Sequence, residues 1–328
     1  MIAVYGAGSV GLVLGARLAG AGHEILFITR SEEQAARIRA DGVQLEDVLG
    51  AASARGLADA VAGPEAAAAR LGAGDPVLFC MRGNDAGAAA RALAARLPGA
   101  LPVCLLNDVQ HEAMLAPLFP RAIGGALRLT CTRRDARSCA AAGRGRIVLG
   151  DHPHGVSAAT RALGRAFRDA GFDVGLSEHI GDDKWLKLCV NLMSAPNALV
   201  RRPDHTTGAF VELKARLLEE AREALRASGI RAASCDGRDR SLDDEIRWQR
   251  ESLAAGQSAR TLPIYNQVWT ALARGGPLEA DGYHERILAL CAARGLRAPV
   301  NRRVLDALRR AAAESRGPEC CSAAELLG

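Results

Sequence analysis

Short apolar runs alternate with helix-forming segments along the first half of the chain. The runs are uninterrupted and bounded by glycine, proline or polar residues, which is typical of buried strands in a parallel sheet. They lie at residues 2–5, 24–29, 76–81 and 101–106. The helix-forming segments between them are 9–21, 34–40 and 86–97. Strands and helices that alternate over short connections predict parallel pairing with right-handed crossovers.

The pattern then changes in two steps. Residues 124–131 and 146–149 are apolar runs with no long helix between them, so we expect the sheet to gain an antiparallel end. A helix over 158–170 and a strand over 172–176 follow. Beyond residue 180 the apolar spacing becomes helical. The candidate helices there are 184–200, 210–228, 242–254, 263–273, 281–294 and 300–314.

The fold class predicted from these patterns is α/β with two domains. A chain of 328 residues is about twice the usual size of a single domain. We therefore predict a mixed α/β domain over residues 1–177, followed by an all-α C-terminal domain over 178–328.

The six residues that directly follow the first predicted strand have the spacing G-x-G-x-x-G. In the run Gly6-Ala7-Gly8-Ser9-Val10-Gly11, the first glycine permits a tight turn and the second lets the backbone approach a pyrophosphate. The third allows the helix to pack closely on the strand. Ser9 and Val10 begin the helix, and their backbone amides at its N-terminus attract phosphate. A chance glycine turn is the alternative. The position after a strand favours a Rossmann-type dinucleotide-binding domain.

The end of the second predicted strand distinguishes the two nicotinamide cofactors. An Asp or Glu there would accept hydrogen bonds from the ribose hydroxyls of NAD. The chain instead has Arg30, followed by Ser31, and a guanidinium group next to a hydroxyl suits the 2′-phosphate of NADP. The alternative is that Arg30 is a solvated surface residue. We predict NADP as the cofactor.

Composition and charge exclude several classes of protein. Apolar residues make up 49% and charged residues 24%, and the net charge is only +5, which favours a globular protein without a nucleic-acid partner. The nine cysteines are scattered, with no paired Cys or His spacing for zinc, so we expect no metal site. Without a signal peptide or an uncharged apolar stretch of about 18 residues, we expect a cytoplasmic protein with no membrane partner.

The segment 183–196 carries the most informative polar residues of the second half. It is apolar on nearly every side after Trp185, which predicts a buried helix. Lys187 and Asn191 interrupt it one turn apart on the same face. Burial lowers the pKa of a lysine towards the range useful for proton transfer. The alternative is a lysine whose ammonium group reaches water from a core helix, and Lys184 is the next candidate for a proton donor.

These motifs resemble the ketopantoate reductase family, and the resemblance extends over nearly the whole chain. The lysine and asparagine spacing together with the late glutamate is more specific than the glycine motif. The matching features are Gly6-x-Gly8-x-x-Gly11, Arg30, Phe79-Cys80-Met81-Arg82, Asn107, the glycine-rich segment 143–150, Trp185-x-Lys187-x-x-x-Asn191 and Glu279-Ala280-Asp281.

The resemblance implies a reaction and a role for each matched residue. NADPH would transfer a hydride to the carbonyl carbon of a small 2-oxo acid, and Lys187 would be the general acid. Asn191 would orient the lysine or the carbonyl oxygen, and Glu279 would bind the hydroxyl end of the substrate or position Lys187. Arg82 and Asn107 would join the cofactor-binding residues. We expect Gly8, Arg82, Asn107, Lys187 and Glu279 to line one cavity.

Several positions depart from the family pattern. Ala195 stands where the family has a second asparagine, and Gln267 falls within the segment where it has a substrate-binding serine. Arg82 replaces the usual lysine. The sequence therefore leaves the substrate open, and an imine or opine-type reductase and a non-catalytic NADP-binding regulatory protein are the alternative functions. The oligomeric state is also open, and a homodimer is compatible with the sequence.

Overall fold

The computed structural model describes residues 1–47, 52–254 and 266–328. The chain divides into two compact units, Met1–Lys184 and Trp185–Gly328. Within the described residues the strands are β1 Ile2–Tyr5, β2 Ile25–Thr29, β3 Val43–Glu46, β4 Ala52–Gly56, β5 Asp59–Ala62, β6 Pro76–Phe79, β7 Leu101–Cys104, β8 Ala122–Arg133, β9 Ser138–His152 and β10 Asp173–Leu176. The helices that accompany them are α1 Ser9–Gly20, α2 Glu32–Asp41, α3 Gly63–Ala68, α4 Gly83–Ala94, α5 His111–Leu115 and α6 Ala158–Asp169.

The strands form one mixed sheet in the order β4-β3-β9-β8-β7-β6-β1-β2-β5, and β10 pairs with β9. The run from β8 through β7, β6, β1 and β2 to β5 is parallel. β8 and β9 form the predicted antiparallel pair. This pair is not the end of the sheet, because β3 joins β9 in parallel and β4 lies beyond β3.

Alternate residues of the central strands contribute to two different hydrophobic cores. Val4, Phe27 and Leu78 contribute to the core that also contains Leu12 of α1. Their neighbours in β1, β2 and β6 contribute to the core that also contains Leu93 of α4. This two-residue alternation, with helices on both sides, is the reason why the strands read as continuous apolar runs in the sequence. The predicted fold class is confirmed.

The second unit is helical. Its elements, with the helix that leads into it, are α7 Ile180–Asn191, α8 Ser194–Leu199, a 3-10 helix Arg202–Thr206, α9 Gly208–Ala227, α10 Leu242–Ala254, α11 Gln267–Arg274, α12 Ala280–Ala293, α13 Pro299–Ala313 and α14 Ala323–Leu327. Helix α9 contacts α10, α12, α13 and α14. The predicted helix 263–273 matches α11 in its second part, and residues 263–265 lie outside the described residues. No helix in the described ranges is both long and apolar enough to cross a membrane.

The prediction of one continuous helix over 184–200 is wrong. Helix α7 ends at Asn191, Leu192 and Met193 form a turn, and a new helix starts at Ser194. Pro196 explains the break, because in a continued helix its ring would clash with the carbonyl group four residues earlier, on Leu192. In the first turn of α8, by contrast, a proline is tolerated. Asn191 is therefore the last residue of α7.

Candidate active site

The glycine loop between β1 and α1 lies at the topological switch point of the sheet. β2 lies on one side of β1 and β6 on the other, and ligands of such folds bind beyond the carboxyl ends of the strands at this point. Gly6 has a φ of +104°, and a Cβ atom there would lie 2.9 Å from the Met81 nitrogen. A Cβ atom on Gly11 would lie 2.0 Å from the Gly6 oxygen. Both positions therefore require glycine.

Gly8 differs from the other two glycines. A Cβ atom added there would meet nothing within 4 Å, so the backbone faces open space at the N-cap of α1. The first turn of this twelve-residue helix holds no acidic residue, and its leading amides, those of Ser9 and Val10 among them, have no partner within the helix. An open glycine backbone in front of a positive helix terminus fits the pyrophosphate of a dinucleotide.

Neighbouring side chains hold the glycine loop in place. The Ser9 hydroxyl accepts a hydrogen bond from the Arg133 amide at 3.1 Å. The Gln34 side-chain amide donates to the Ala7 carbonyl at 2.9 Å and to the Ala136 carbonyl at 2.6 Å. Gln34 thus ties the loop to the β8–β9 hairpin. The sequence pattern gave no signal for this role of Gln34.

The structure brings Arg30 and Arg82 to one carboxylate. Arg30 follows β2, and Arg82 is the N-cap residue of α4 after β6. Asp85 Oδ2 lies 4.0 Å from Arg30 Nη1 and 3.7 Å from Arg82 Nε. Two of the predicted cofactor-binding residues therefore belong to one charged cluster. This cluster follows β2 and β6, the two strands that flank β1 and its glycine loop. Asp85 was not predicted from the sequence.

Asn107 follows β7 and is exposed. The next residue, Asp108, has a φ of +79°, in the left-handed region where side chains other than glycine are uncommon. Its carboxylate accepts a hydrogen bond from the Val109 amide at 2.6 Å, and a local bond of this kind is what makes aspartate tolerable there. Asn107 is thus held in a tight turn at the carboxyl edge of the parallel strands.

Lys184, the alternative proton donor, is engaged in a buried ion pair. Its ammonium group contacts Glu112 of α5, and both side chains are at most 4% exposed. Cys104 Sγ lies 3.9 Å from Lys184 Nζ. Burial opposes the charge of Lys184, but the ion pair with Glu112 outweighs it, so the pKa of Lys184 is raised. The lysine is thereby held protonated in the core, which argues against its use as a proton donor.

Lys187 and Asn191 lie one turn apart at the end of α7, as predicted. Lys187 is buried at 8% exposure, and Asn191 is half-buried. The α7–α8 turn is closed by two hydrogen bonds: the Ser194 hydroxyl donates to the Asn191 carbonyl at 2.6 Å, and the Asn266 amide donates to the Ser194 carbonyl at 2.7 Å. These bonds fix the backbone that carries Asn191. The structure thus supplies an amide to this turn from Asn266, whereas Ala195 is fully buried.

Glu279 and Gln267 occupy the starts of two helices in the second unit. Glu279 is exposed at the N-cap of α12, and Gln267 is exposed as the first residue of α11. The predicted contact of Glu279 with Lys187 or substrate stays a prediction, as does the single cavity lined by residues of both units. In the parts of the chain that are described, no three His, Cys, Asp or Glu side chains are grouped to hold a metal ion.

Comparison with known proteins identifies the relatives of this chain. Residues 2–154 match the family described as ketopantoate reductase PanE/ApbA. A 2-dehydropantoate 2-reductase of Halobacterium salinarum is 26% identical over 312 residues, which cover 94% of this chain and 97% of the relative. Residues 2–154 thus match the ketopantoate reductase family, and the similarity to the curated relative extends over nearly the whole chain. The predicted resemblance is confirmed.

Solved structures extend the family likeness to both units of the chain. A PanE/ApbA family ketopantoate reductase from Ralstonia eutropha JMP134 has a TM-score of 0.78 at 25% identity, over 96% of this chain and all of that one. D-mandelate dehydrogenase, solved with NADH and anilino(oxo)acetate, has a TM-score of 0.76 at 17% identity, over 96% of this chain and 99% of that one. The fold of the ketopantoate reductase family thus includes the helical second unit.

Proposed function

We propose that this protein reduces the carbonyl group of a small 2-oxo acid to the 2-hydroxy acid, with NADPH as the cofactor. The observation that carries the proposal is the buried Lys187 one turn before Asn191, in a chain whose first unit has an open glycine backbone at the N-terminus of α1. Its relatives named 2-dehydropantoate 2-reductase support the same class of reaction.

The first unit would bind the cofactor. The glycine loop and the amides of α1 would receive the pyrophosphate, and Arg30 and Arg82 would receive the 2′-phosphate through charge-assisted hydrogen bonds. Bound NADPH would supply the hydride. Asn107, held by its tight turn, would lie beside the nicotinamide ribose.

The second unit would supply the proton. The Lys187 ammonium group would donate its proton to the carbonyl oxygen of the substrate, and its charge would stabilise the negative charge that develops on that oxygen. Asn191 orients the lysine or the oxygen through its amide. Glu279 binds the hydroxyl end of the substrate or positions Lys187.

A substrate panel tests this function. The purified protein is incubated with NADPH and a series of 2-oxo acids that includes ketopantoate, with and without ammonia or an amino acid. We expect the nicotinamide absorbance to fall with a 2-oxo acid alone. Loss of absorbance only when an amine is present would replace the proposal by imine reduction. NADPH binding without turnover on any member would favour a regulatory protein.

A further inference from the structure

Asp85 stands where an acid can contact the adenosine ribose of a bound dinucleotide. Its Oδ2 atom lies 4.0 Å from Arg30 and 3.7 Å from Arg82. Arg30 follows β2, and Arg82 and Asp85 follow β6, and these two strands flank β1 with its glycine loop. The carboxylate therefore belongs to the same edge of the sheet as the group that would receive the 2′-phosphate.

The position of Asp85 also has an ordinary structural explanation. It lies in the first turn of α4, where a negative charge is favourable, and its amide donates to the Arg82 carbonyl at 3.0 Å. Its carboxylate is nevertheless directed towards two guanidinium groups. The Asp85 side chain is 46% exposed and those of Arg30 and Arg82 are 83% and 51% exposed. A ligand can therefore reach all three.

The charge of this cluster acts differently on the two cofactors. The two arginines attract the 2′-phosphate of NADPH, while the Asp85 carboxylate repels it and offsets part of the attraction. NADH has a 2′-hydroxyl in that place, which donates a hydrogen bond and needs an acceptor. No acidic side chain stands directly after β2 to accept it, since Arg30 occupies that position. Asp85 can provide it from the neighbouring helix.

We propose that Asp85 is a specificity-determining residue that accepts a hydrogen bond from the 2′-hydroxyl of NADH and opposes the 2′-phosphate of NADPH. Together with Arg30 it gives a site that binds both cofactors, with Arg30 favouring NADPH. The inference rests on the proposed dinucleotide binding and deepens it, since it assigns the ribose acid to a residue outside β2.

Dissociation constants for NADPH and NADH test the assignment in four proteins: the wild type, Asp85→Asn, Arg30→Ala and the control Glu65→Gln. Glu65 forms an exposed ion pair with Arg96, away from the arginine cluster. We expect Asp85→Asn to bind NADPH about threefold tighter and NADH about threefold weaker, which shifts the preference about tenfold towards NADPH. Arg30→Ala should shift the preference the opposite way, by about tenfold.

The outcomes separate this inference from the proposed function. An Asp85→Asn preference ratio equal to that of the wild type, or equal changes for both cofactors, would overturn the role of Asp85 while NADPH turnover by the wild type upholds the reductase. A wild type that binds neither cofactor would overturn both. The Glu65→Gln ratio should equal the wild-type ratio, and thermal unfolding of each variant establishes that it is folded.

Discussion

His284 shows how one buried side chain makes stability depend on pH. It lies on α12 with 0% exposure, and its Nδ1 is 2.9 Å from Asn301 Oδ1. Burial lowers the pKa of His284 to about 4, against the partial support of the Asn301 hydrogen bond. The folded protein therefore holds this imidazole neutral at physiological pH. In the unfolded chain the same group has a pKa of about 6.5.

The difference predicts a loss of stability in mild acid. Between about pH 6.5 and 4 the unfolded chain takes up a proton that the folded chain does not, so the free energy of unfolding falls by about 3 kcal/mol across this window and is unaffected above it. Urea unfolding at pH 7 and pH 4.5 measures how the free energy of unfolding depends on pH. His284→Asn should reduce this dependence. If His284→Asn left the pH dependence of the free energy of unfolding unchanged, this role of His284 would be contradicted.

At the scale of elements, helix α7 contains two buried lysines, Lys184 and Lys187. Lys184 forms its ion pair with Glu112 within the first unit. Lys187 lies three residues later, one turn before Asn191. The sequence distinguishes these lysines through the spacing of Lys187 from Asn191 and through the family resemblance. It does not reveal the ion pair of Lys184, because the partner of Lys184 lies 72 residues away along the chain. Nothing local at Glu112 or Lys184 predicts their contact.

The buried pair predicts an asymmetric response to substitution. Glu112→Gln leaves a buried ammonium group without its carboxylate and should lower the free energy of unfolding by about 3–5 kcal/mol. The double variant Glu112→Leu with Lys184→Met should recover most of that loss, since apolar residues of similar size can replace a buried pair. Glu65→Gln, in an exposed pair, should cost under about 1 kcal/mol. Chemical denaturation compares the three, and equal small losses would contradict a structural role for the pair.

At the scale of the whole molecule, the sequence predicts those elements that are determined by a local pattern of consecutive residues. β1, α1 and β2 were predictable because apolar runs, the glycine motif and helix-forming residues lie in consecutive segments. β3, β4 and β5 were missed because they are short and weakly apolar, as in the segment Asp-Ala-Val-Ala of β5. They are strands because they pair with β9, β3 and β2.

The candidate site shows the same difference between features set by local sequence and features set by the fold. The glycine loop and the Lys187 and Asn191 spacing are local patterns, whereas Asp85 and Gln34 gain their roles from the order of strands in the sheet and from the β8–β9 hairpin. The break after Asn191 was in principle readable from Pro196, because a proline excludes its own position from the interior of a helix.

The turnover of Lys187→Ala tests the central claim most directly. With the preferred 2-oxo acid, we expect kcat to fall by about 10²–10⁴ because both the proton donor and its charge are removed, while the dissociation constant for NADPH stays close to the wild-type value. Lys214→Ala, which removes a lysine packed over Phe210 on α9, is the matched control and should keep wild-type kcat. A Lys187→Ala enzyme with wild-type kcat would contradict the mechanism.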